Sequence, residues 1–251
     1  MTQTSSVATS VNAGDFRVGA VIGRSRSMLW RHFPTFLVLG VIASSPILLP
    51  AFTQTAEPAD EEILGDLLWT TLLIAPLVLF GTIGQAVVIH ATFQDMRGGS
   101  IRSVESLNVI LRGLWPLIGL ALASLLTLLG LMLIIVPGLI LWTLWFVALP
   151  ACIVERIGPW TSLRRSRELT RGHRWKVLGL AVLLMIGTFV GSWVIESWVT
   201  AATNHIVGVA SELMWNGVWT AFTGITTIVT YRDLRLAKEG TDIEQIAGVF
   251  D

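Results

Sequence analysis

The longest apolar stretch of the sequence, residues 113–154, contains no Asp, Glu, Lys or Arg. One helix needs about 20 apolar residues to cross a bilayer core of ~30 Å, so this stretch is long enough for about two crossings. Val136-Pro137-Gly138 is its strongest turn signal, because proline cannot continue a helical hydrogen-bond ladder and glycine permits reversal. The stretch therefore predicts two membrane helices, 113–135 and 139–154, with a hairpin turn at Pro137 and Gly138.

The composition of the whole chain also indicates a lipid environment. Hydrophobic residues make up 53% of the sequence and charged residues only 14%, whereas soluble domains carry about 25% charged residues. Further apolar blocks predict four more spans, at about 36–52, 67–92, 177–199 and 207–230. The predicted fold is an all-α polytopic membrane protein in which six transmembrane helices, within residues 34–230, form three hairpins.

The positions of the basic residues predict which way the protein faces. The segment before the first span, the loops 93–112 and 155–176, and the tail 231–251 hold four, three, seven and three of the 17 lysines and arginines. The intervening segments on the opposite side hold none and include the acidic stretch 53–66. Because Lys and Arg are enriched in short cytoplasmic loops, we expect both termini in the cytoplasm.

The two ends of the chain differ in character from the spans. Residues 1–14 are rich in Ser and Thr and predict a disordered start, and residues 231–251 form a charged cytoplasmic tail. Residues 15–33 interleave four arginines with apolar side chains, which is typical of an amphipathic interfacial helix facing anionic lipid headgroups. The alternative is a solvated helix. The first 33 residues lack the apolar core of a signal peptide, so we expect a retained segment.

The basic loop 155–176 predicts one complete short helix, from Gly158-Pro159-Trp160 to Gly172. Proline is favoured in the first turn of a helix and glycine just past its end. Its basic side chains are candidate contacts for anionic lipids or partner membrane proteins: Arg164, Arg165, Arg167, Arg171 and Arg174. The alternative is that these charges fix topology and do nothing else.

Polar residues inside spans are candidates for function because they are costly in lipid. Gln85 lies near the predicted bilayer centre, and Glu196 and Glu212 lie near the outer interface. The two carboxylates could bind a cation or a proton, or could be water-exposed groups at helix ends. Gly187 and Gly191 have the spacing that lets helices approach closely, either within the bundle or across a dimer face.

A weak internal repeat is also present. Trp115-Pro-Leu-Ile-Gly119 matches Trp175-Lys-Val-Leu-Gly179, and an amphipathic stretch precedes each. The arginine-rich segment ending at Trp30 resembles a third copy. The pattern predicts a surface helix followed by a two-helix hairpin, used three times; the alternative is coincidence among Leu-rich and Ala-rich helices.

Three short motifs carry a family resemblance: Pro137-Gly138, Arg165-x-Ser-x-Glu-Leu-Thr-Arg-Gly172, and the ending Tyr231-Arg-Asp-Leu-Arg-Leu-Ala-Lys-Glu-Gly240. Over roughly residues 15–245 the chain resembles the membrane domain fused to some bacterial glycerophosphoryl diester phosphodiesterases, and the stand-alone YciC-like inner-membrane proteins. The resemblance implies a six-helix module of a bacterial cytoplasmic membrane. The phosphodiesterase activity of the fused members belongs to a separate barrel of about 250 residues. This chain has no room for one, so no catalytic residue carries over.

Several functional classes lack support in the sequence. There is no Gly-x-Ser-x-Gly, no phosphate-binding loop and no His-Glu-x-x-His. The single cysteine excludes an intrachain disulfide, and the net charge of zero gives no indication of a nucleic-acid partner. We therefore expect no enzyme, metal or cofactor, but a scaffold or accessory that binds lipids or membrane proteins through its basic helices. The alternative is a small transporter or lipid translocator with a path between proline-broken helices; an intramembrane enzyme ranks third.

Overall fold

The computed structural model describes residues 16–48, 63–99, 103–133, 135–197 and 205–239. In chain order its helices are α1 (Val18–Arg31), α2 (Phe33–Ser44), a 3-10 helix (Ser45–Leu48), α3 (Ile63–Met96), α4 (Ser103–Arg112), α5 (Leu114–Leu133), α6 (Ile135–Trp145), α7 (Ala148–Glu155), α8 (Pro159–Thr170), α9 (Arg174–Ile195) and α10 (His205–Glu239). Within these ranges all regular structure is helical, which confirms the all-α prediction for this part of the chain. The predictions for residues 1–14 and for the tail beyond Glu239 lie outside the described residues.

Three helical segments are long and apolar enough to cross a membrane: Ile74–Met96, Val136–Glu155 and Arg174–Ile195. A fourth is present if Glu105–Leu111 and Leu114–Gly130, which meet at a bend of 78°, count as one span. The chain is therefore a membrane protein. The predicted spans 36–52 and 207–230 are helical where described but fall short of the same criterion. In the first case α2 is short, and in the second α10 carries Glu212, Asn216 and many threonines.

Helix α10 packs mainly against α1, α2, α3 and α9, and it also contacts α7 and α8. Its contact with α2 is close, because a Cβ added to Gly40 would lie 2.0 Å from the carbonyl oxygen of Gly217. Ile225, Ile228 and Leu234 of α10 are fully buried in the main core. Small residues at such crossings let helix backbones meet where lipid offers no hydrophobic driving force. The last helix thus organises the bundle.

The predicted hairpin turn at Pro137 and Gly138 is misplaced by a few residues. Helix α5 ends at Leu133 and α6 begins at Ile135, so both residues lie in the first turn of α6. Proline is tolerated there because the first N–H groups of a helix have no intrahelical acceptor. Gly138 instead permits close packing, since a Cβ on Gly130 of α5 would lie 3.7 Å from its Cα.

The segment Val136–Glu155 is broken between α6 and α7, just before Pro150. The proline has no N–H to continue the helix, and backbone groups near the break need other partners. Ser166 of α8 supplies them: its hydroxyl donates to the carbonyl of Leu144 at 2.7 Å and accepts from the N–H of Val147 at 3.3 Å. A short surface helix therefore completes the hydrogen bonding of a membrane segment.

Candidate functional site

The basic loop folds as α8, which agrees with the helix predicted between Gly158 and Gly172. Pro159 occupies its first turn, and the extended Gly158 precedes it. Gly172 has a φ of 95°, a left-handed conformation that glycine adopts without a steric penalty. The chain therefore turns sharply at Gly172 and enters α9 two residues later.

Helix α8 has one buried and one exposed face. The buried face consists of Ser162, Leu163, Ser166, Leu169 and Thr170. Six of the exposed residues between Trp160 and Lys176 are named here the basic surface: Trp160, Arg164, Arg167, Arg171, Arg174 and Trp175. Thr161, Glu168 and Lys176 are also exposed in this region. The two tryptophans are 83% and 85% exposed. Exposed tryptophan beside arginine is typical of the boundary between bilayer and water.

Arg165 does not belong to this surface, although the sequence grouped it with the other arginines. Its side chain is half-buried, and its Nε donates to Oε1 of Glu155 at 2.9 Å while its Nη2 donates to Glu239. Tyr231 donates to the same Glu155 oxygen at 2.7 Å, and Arg235 donates to Glu239 at 2.8 Å. We name these five residues the carboxylate cluster; it joins α7, α8 and α10.

The electrostatics of the carboxylate cluster favour its charged and hydrogen-bonded form. Burial alone would lower the pKa of Arg165, but its hydrogen bonds to Glu155 and Glu239 outweigh this and raise it. Burial raises the pKa of Tyr231, and its hydrogen bond to Glu155 raises it further, so the phenol stays a donor. Burial would raise the pKa of Glu239, but Arg235 and Arg165 together lower it. The cluster therefore fixes α8, and with it the basic surface, on the bundle.

Helix α1 is attached in a similar way. Its apolar residues Val21 and Leu29, and Phe16 just before it, are buried in the main core, against protein rather than lipid. Arg24 donates to both carboxylate oxygens of Asp233 on α10. Burial raises the pKa of Asp233, and the charge of Arg24 opposes this rise. The predicted interfacial helix is thus helical, but its apolar face is covered by the bundle.

The internal repeat has a structural counterpart. Three fully buried serines, Ser25, Ser106 and Ser166, occupy the short helices α1, α4 and α8. The next helix has a buried apolar residue at the same number of positions after each serine: Phe36 after Ser25, Leu117 after Ser106 and Val177 after Ser166. A small residue follows at a second common spacing: Gly40, Ala121 and Ala181. Helices α1, α4 and α8 and the helices after them thus share one register.

Each of the three short helices also packs on the last helix of a copy of the repeat. Helix α4 packs on α3, α8 packs on α7, and α1 packs on α10. Each short helix therefore rests on the last helix of the preceding copy, and α1 rests on the last helix of the third. In the α4 contact, the Ser106 hydroxyl and Nδ1 of His90 lie 3.0 Å apart. This circular scheme makes the three copies depend on one another.

Gln85 of α3 lies on the wall of two adjoining cavities inside the bundle. The larger has a volume of about 480 Å³ between α3, α5, α6, α9 and α10, and the smaller has about 430 Å³ and extends to Asn216. Four residues line both: Thr82, Gln85, Ser124 and Thr223. Among the described residues that line them, none is charged. Gln85 is therefore placed at an uncharged internal space.

Glu196 and Glu212 lie elsewhere. Both side chains are exposed at the opposite end of the bundle from α8, and neither lines these two cavities. Asn216, one turn after Glu212, donates to its backbone carbonyl at 2.9 Å. The structure thus separates Gln85 from the two carboxylates.

Gly187 and Gly191 of α9 face two tryptophans of α10. A Cβ added to Gly187 would lie 2.2 Å from the ring of Trp219, and one added to Gly191 would lie 1.9 Å from the ring of Trp215. The indole of Trp219 also donates to the hydroxyl of Thr188 at 2.7 Å. The structure places both glycines at a contact within the bundle.

Metal-binding groups are scattered in the part of the chain that the structure describes, where no cluster of three or more His, Cys, Asp or Glu side chains could hold an ion. Cys152 is buried, and its thiol donates to the carbonyl of Ile157 at 3.3 Å. Its place in the fold is at the end of α7, next to the turn into α8.

Two sets of residues escaped the sequence analysis. The contact between Tyr231 and Glu155 joins positions far apart in the chain, and no local pattern indicates it. The buried serines did leave a signal, because Ser106 and Ser166 stand at the same distance before Trp115 and Trp175, the tryptophans that define the repeat. A serine inside an amphipathic stretch resembles a solvated residue unless the copies are aligned.

Comparison with known proteins gives one family. A family model described as "Domain of unknown function (DUF7847)" matches residues 108–234, from α4 through most of α10. No curated protein and no solved structure matches the chain. The matched segment begins inside α4, after Ser106, and contains the rest of the second copy of the repeat, the third copy to Leu234, α8, and three of the five residues of the carboxylate cluster. Since it covers half of the sequence, the chain belongs to the DUF7847 family.

Proposed function

We propose that the protein is a non-enzymatic accessory of a bacterial cytoplasmic membrane that binds anionic lipid headgroups through its basic surface. It has six spans in three hairpins, with both termini in the cytoplasm. The distribution of basic residues supports this orientation, because all 17 lysines and arginines lie in the four segments assigned to the cytoplasm: the one before the first span, 93–112, 155–176 and 231–251. The resemblance to the membrane domain of glycerophosphoryl diester phosphodiesterases also supports a membrane-accessory role.

The basic surface is the observation that carries the proposal. Four arginines are exposed on α8 and at the start of α9, between two tryptophans that are more than four-fifths exposed. The carboxylate nearest to them is Glu168, at 3.9 Å from Arg164. An exposed pair at that distance contributes little and leaves the arginine able to bind phosphate. The carboxylate cluster attaches α8 to the bundle and so fixes the helix that carries Arg164 and Arg167.

A direct test measures which lipids stay bound to the purified protein. Native mass spectrometry in mild detergent would compare retention of phosphatidylglycerol, which is anionic, with retention of phosphatidylcholine, which has no net charge. Each basic side chain near a charged bilayer contributes about 1 kcal/mol, so Arg164→Glu, Arg167→Glu and Arg171→Glu together should abolish the preference for the anionic lipid. The matched control carries lysine at the same three positions and should keep it. An unchanged preference in the glutamate variant would overturn the proposal.

A second candidate function, a small transporter or lipid translocator, is favoured by the joined cavities at Gln85. They extend from Leu163 of α8 to Pro46 and Asn216 near the other end of the bundle. Such a path would carry substrate between the proline-containing helices α3 and α6. The test is flux of fluorescent lipid across proteoliposomes: Gln85→Leu should reduce it, and equal rates with and without the protein would remove this candidate.

A further inference from the structure

The Gln85 side chain lacks a hydrogen-bond partner in the described part of the chain. It is half-buried in the middle of α3, within a segment apolar enough to cross a membrane. None of the hydrogen bonds among the described residues involves its carboxamide, which faces the two cavities. A primary amide offers two donors and one acceptor. Leaving such a group unpaired away from water costs about 1–3 kcal/mol, so the position favours a bound partner.

The hydroxyl groups around the larger cavity are already bonded to their own helices. Thr82 donates to Val78, Ser124 to Leu120 and Thr127 to Ala123, at 2.7, 3.0 and 2.9 Å. On the opposite wall Thr188 and Thr227 do the same with Leu184 and Thr223. Their hydroxyl protons are therefore used, and they present methyl groups and oxygen lone pairs to the cavity. This leaves Gln85 as an amide donor among acceptors.

The remaining wall is aromatic and aliphatic. Trp142, Trp145, Phe146 and Phe189 line the larger cavity, and no described residue of the wall is charged. A charged ligand would lose its hydration without gaining an ionic partner, which is costly. The volume of about 480 Å³ lies within the range of about 300–1,000 Å³ typical of ligand sites. The occupant is therefore uncharged and largely apolar.

The cavity also has an opening toward the outside of the bundle. Phe189 lines it and is nevertheless 70% exposed, and Leu128 on α5 lines it and is 38% exposed. Phe189 lies in the segment Arg174–Ile195, which is long and apolar enough to cross a membrane, and Leu128 lies in the apolar helix α5. A ligand dissolved in the bilayer can reach the site there without crossing water.

We propose that this cavity is a binding site for an uncharged amphiphile of the membrane, with a carbonyl that accepts a hydrogen bond from the Gln85 carboxamide. The hydrocarbon part of the ligand lies among Trp142, Phe146 and Phe189. The site is separate from the basic surface and does not depend on the proposed headgroup binding there.

The probe for this site is dioctanoylglycerol, which is uncharged and carries ester carbonyls. Its binding to the detergent-purified protein is measured by native mass spectrometry over a concentration series. The matched probe is the corresponding dioctyl ether, which has the same chains and no carbonyl. Wild-type protein should bind one molecule of the ester, and should bind the ether about tenfold more weakly, corresponding to 1.4 kcal/mol. Equal binding of both probes, or no binding of the ester, would overturn the proposal.

Variants show whether Gln85 is the donor. Gln85→Leu should weaken ester binding about tenfold and leave ether binding unchanged, whereas Thr127→Val, which removes a hydroxyl of the same wall that is bonded to its own helix, should change neither. If Gln85→Leu does not fold, Ala123→Leu provides the second test, because it fills the cavity and should abolish binding of both probes. Full ester binding by either folded variant would contradict the assignment. The glutamate variants of the basic surface should bind the ester normally, so this result is independent of the proposed function.

Discussion

Arg24 of α1 donates from Nη1 to both carboxylate oxygens of Asp233 on α10, at 2.8 and 3.0 Å. Arg165 of α8 makes a related contact with Glu155 of α7, and each arginine directly precedes a buried serine. Two copies of the repeat therefore share one kind of contact, in which an arginine of the short helix binds a carboxylate near the end of the helix on which it packs. In the remaining copy, Glu105 stands at the equivalent position before Ser106.

Replacing Arg24 should weaken the attachment of α1. Its side chain is 48% exposed, while that of Asp233 is only 13% exposed. Arg24→Gln leaves the buried carboxylate without its charged partner, and we expect a loss of about 1 kcal/mol after allowing for the exposure of the arginine. The measurement is thermal unfolding in detergent. Arg26→Gln, on the exposed face of the same helix, should be neutral, and equal effects of the two changes would argue against the pair.

The carboxylate cluster predicts a pH dependence. The pKa of Glu239 lies below its ordinary value of 4.5, so its contribution to stability is present above that pH and is lost as pH falls through the lower, folded-state pKa. At neutral pH Glu239→Gln should therefore unfold at a lower temperature than the wild type. The difference should shrink as the pH is lowered below about 4.5. A difference that stays constant down to pH 3 would contradict the assigned contacts.

The contact between α9 and α10 can be tested at two glycines of one helix. Gly191→Ala places a methyl group where the ring of Trp215 lies, and forced repacking of this kind costs about 1–3 kcal/mol. Gly179 has no atom within 4 Å of an added Cβ. Gly179→Ala should therefore be neutral or stabilise by up to about 1 kcal/mol, since alanine favours helix. Equal unfolding temperatures for the two variants would show that α9 packs differently.

The repeat provides a matched comparison between two buried serines. Ser166→Ala removes the partner of the Val147 N–H and the Leu144 carbonyl, and we expect a loss of about 1–3 kcal/mol. The hydroxyl of Ser25 is buried without a hydrogen-bond partner among the described residues. Ser25→Ala should therefore have no destabilising effect in the same unfolding assay. A large loss at Ser25 would mean that its hydroxyl has a partner.

Local sequence patterns predicted the helices whose bounds depend on residues at their own ends. Helix α8 is bounded as expected, because a proline in the first turn and a glycine past the end act within a few residues of themselves. The same argument failed by a few residues at Pro137, because proline marks the first turn of a helix as readily as it marks a turn. Of the six predicted spans, 36–52 and 207–230 fall short of the length and composition criterion, and 113–135 meets it only when α5 is joined to α4. Helices nevertheless occupy the described parts of all three.

The features that the sequence did not predict depend on contacts between distant parts of the chain. The sequence shows Arg165 as one arginine among several, and only the approach of Glu155 and of Glu239 on α10 separates it from the exposed ones. The sequence likewise shows Gln85 as an isolated polar residue, whereas the cavities beside it depend on where five helices leave space. Residue spacing along one helix carries no information about such a space.

The proposed headgroup binding requires the basic surface to lie on the cytoplasmic side of the membrane, and thiol labelling measures this position directly. With Cys152 replaced by serine, a single cysteine is placed at the exposed Thr161 on α8, or at the exposed Glu212 near the other end of the bundle. A membrane-impermeant maleimide is applied to right-side-out and to inverted membrane vesicles. Thr161→Cys should react only in inverted vesicles and Glu212→Cys only in right-side-out vesicles. Reaction of Thr161→Cys from the outer side would contradict the cytoplasmic position of the basic surface and the headgroup binding proposed for it.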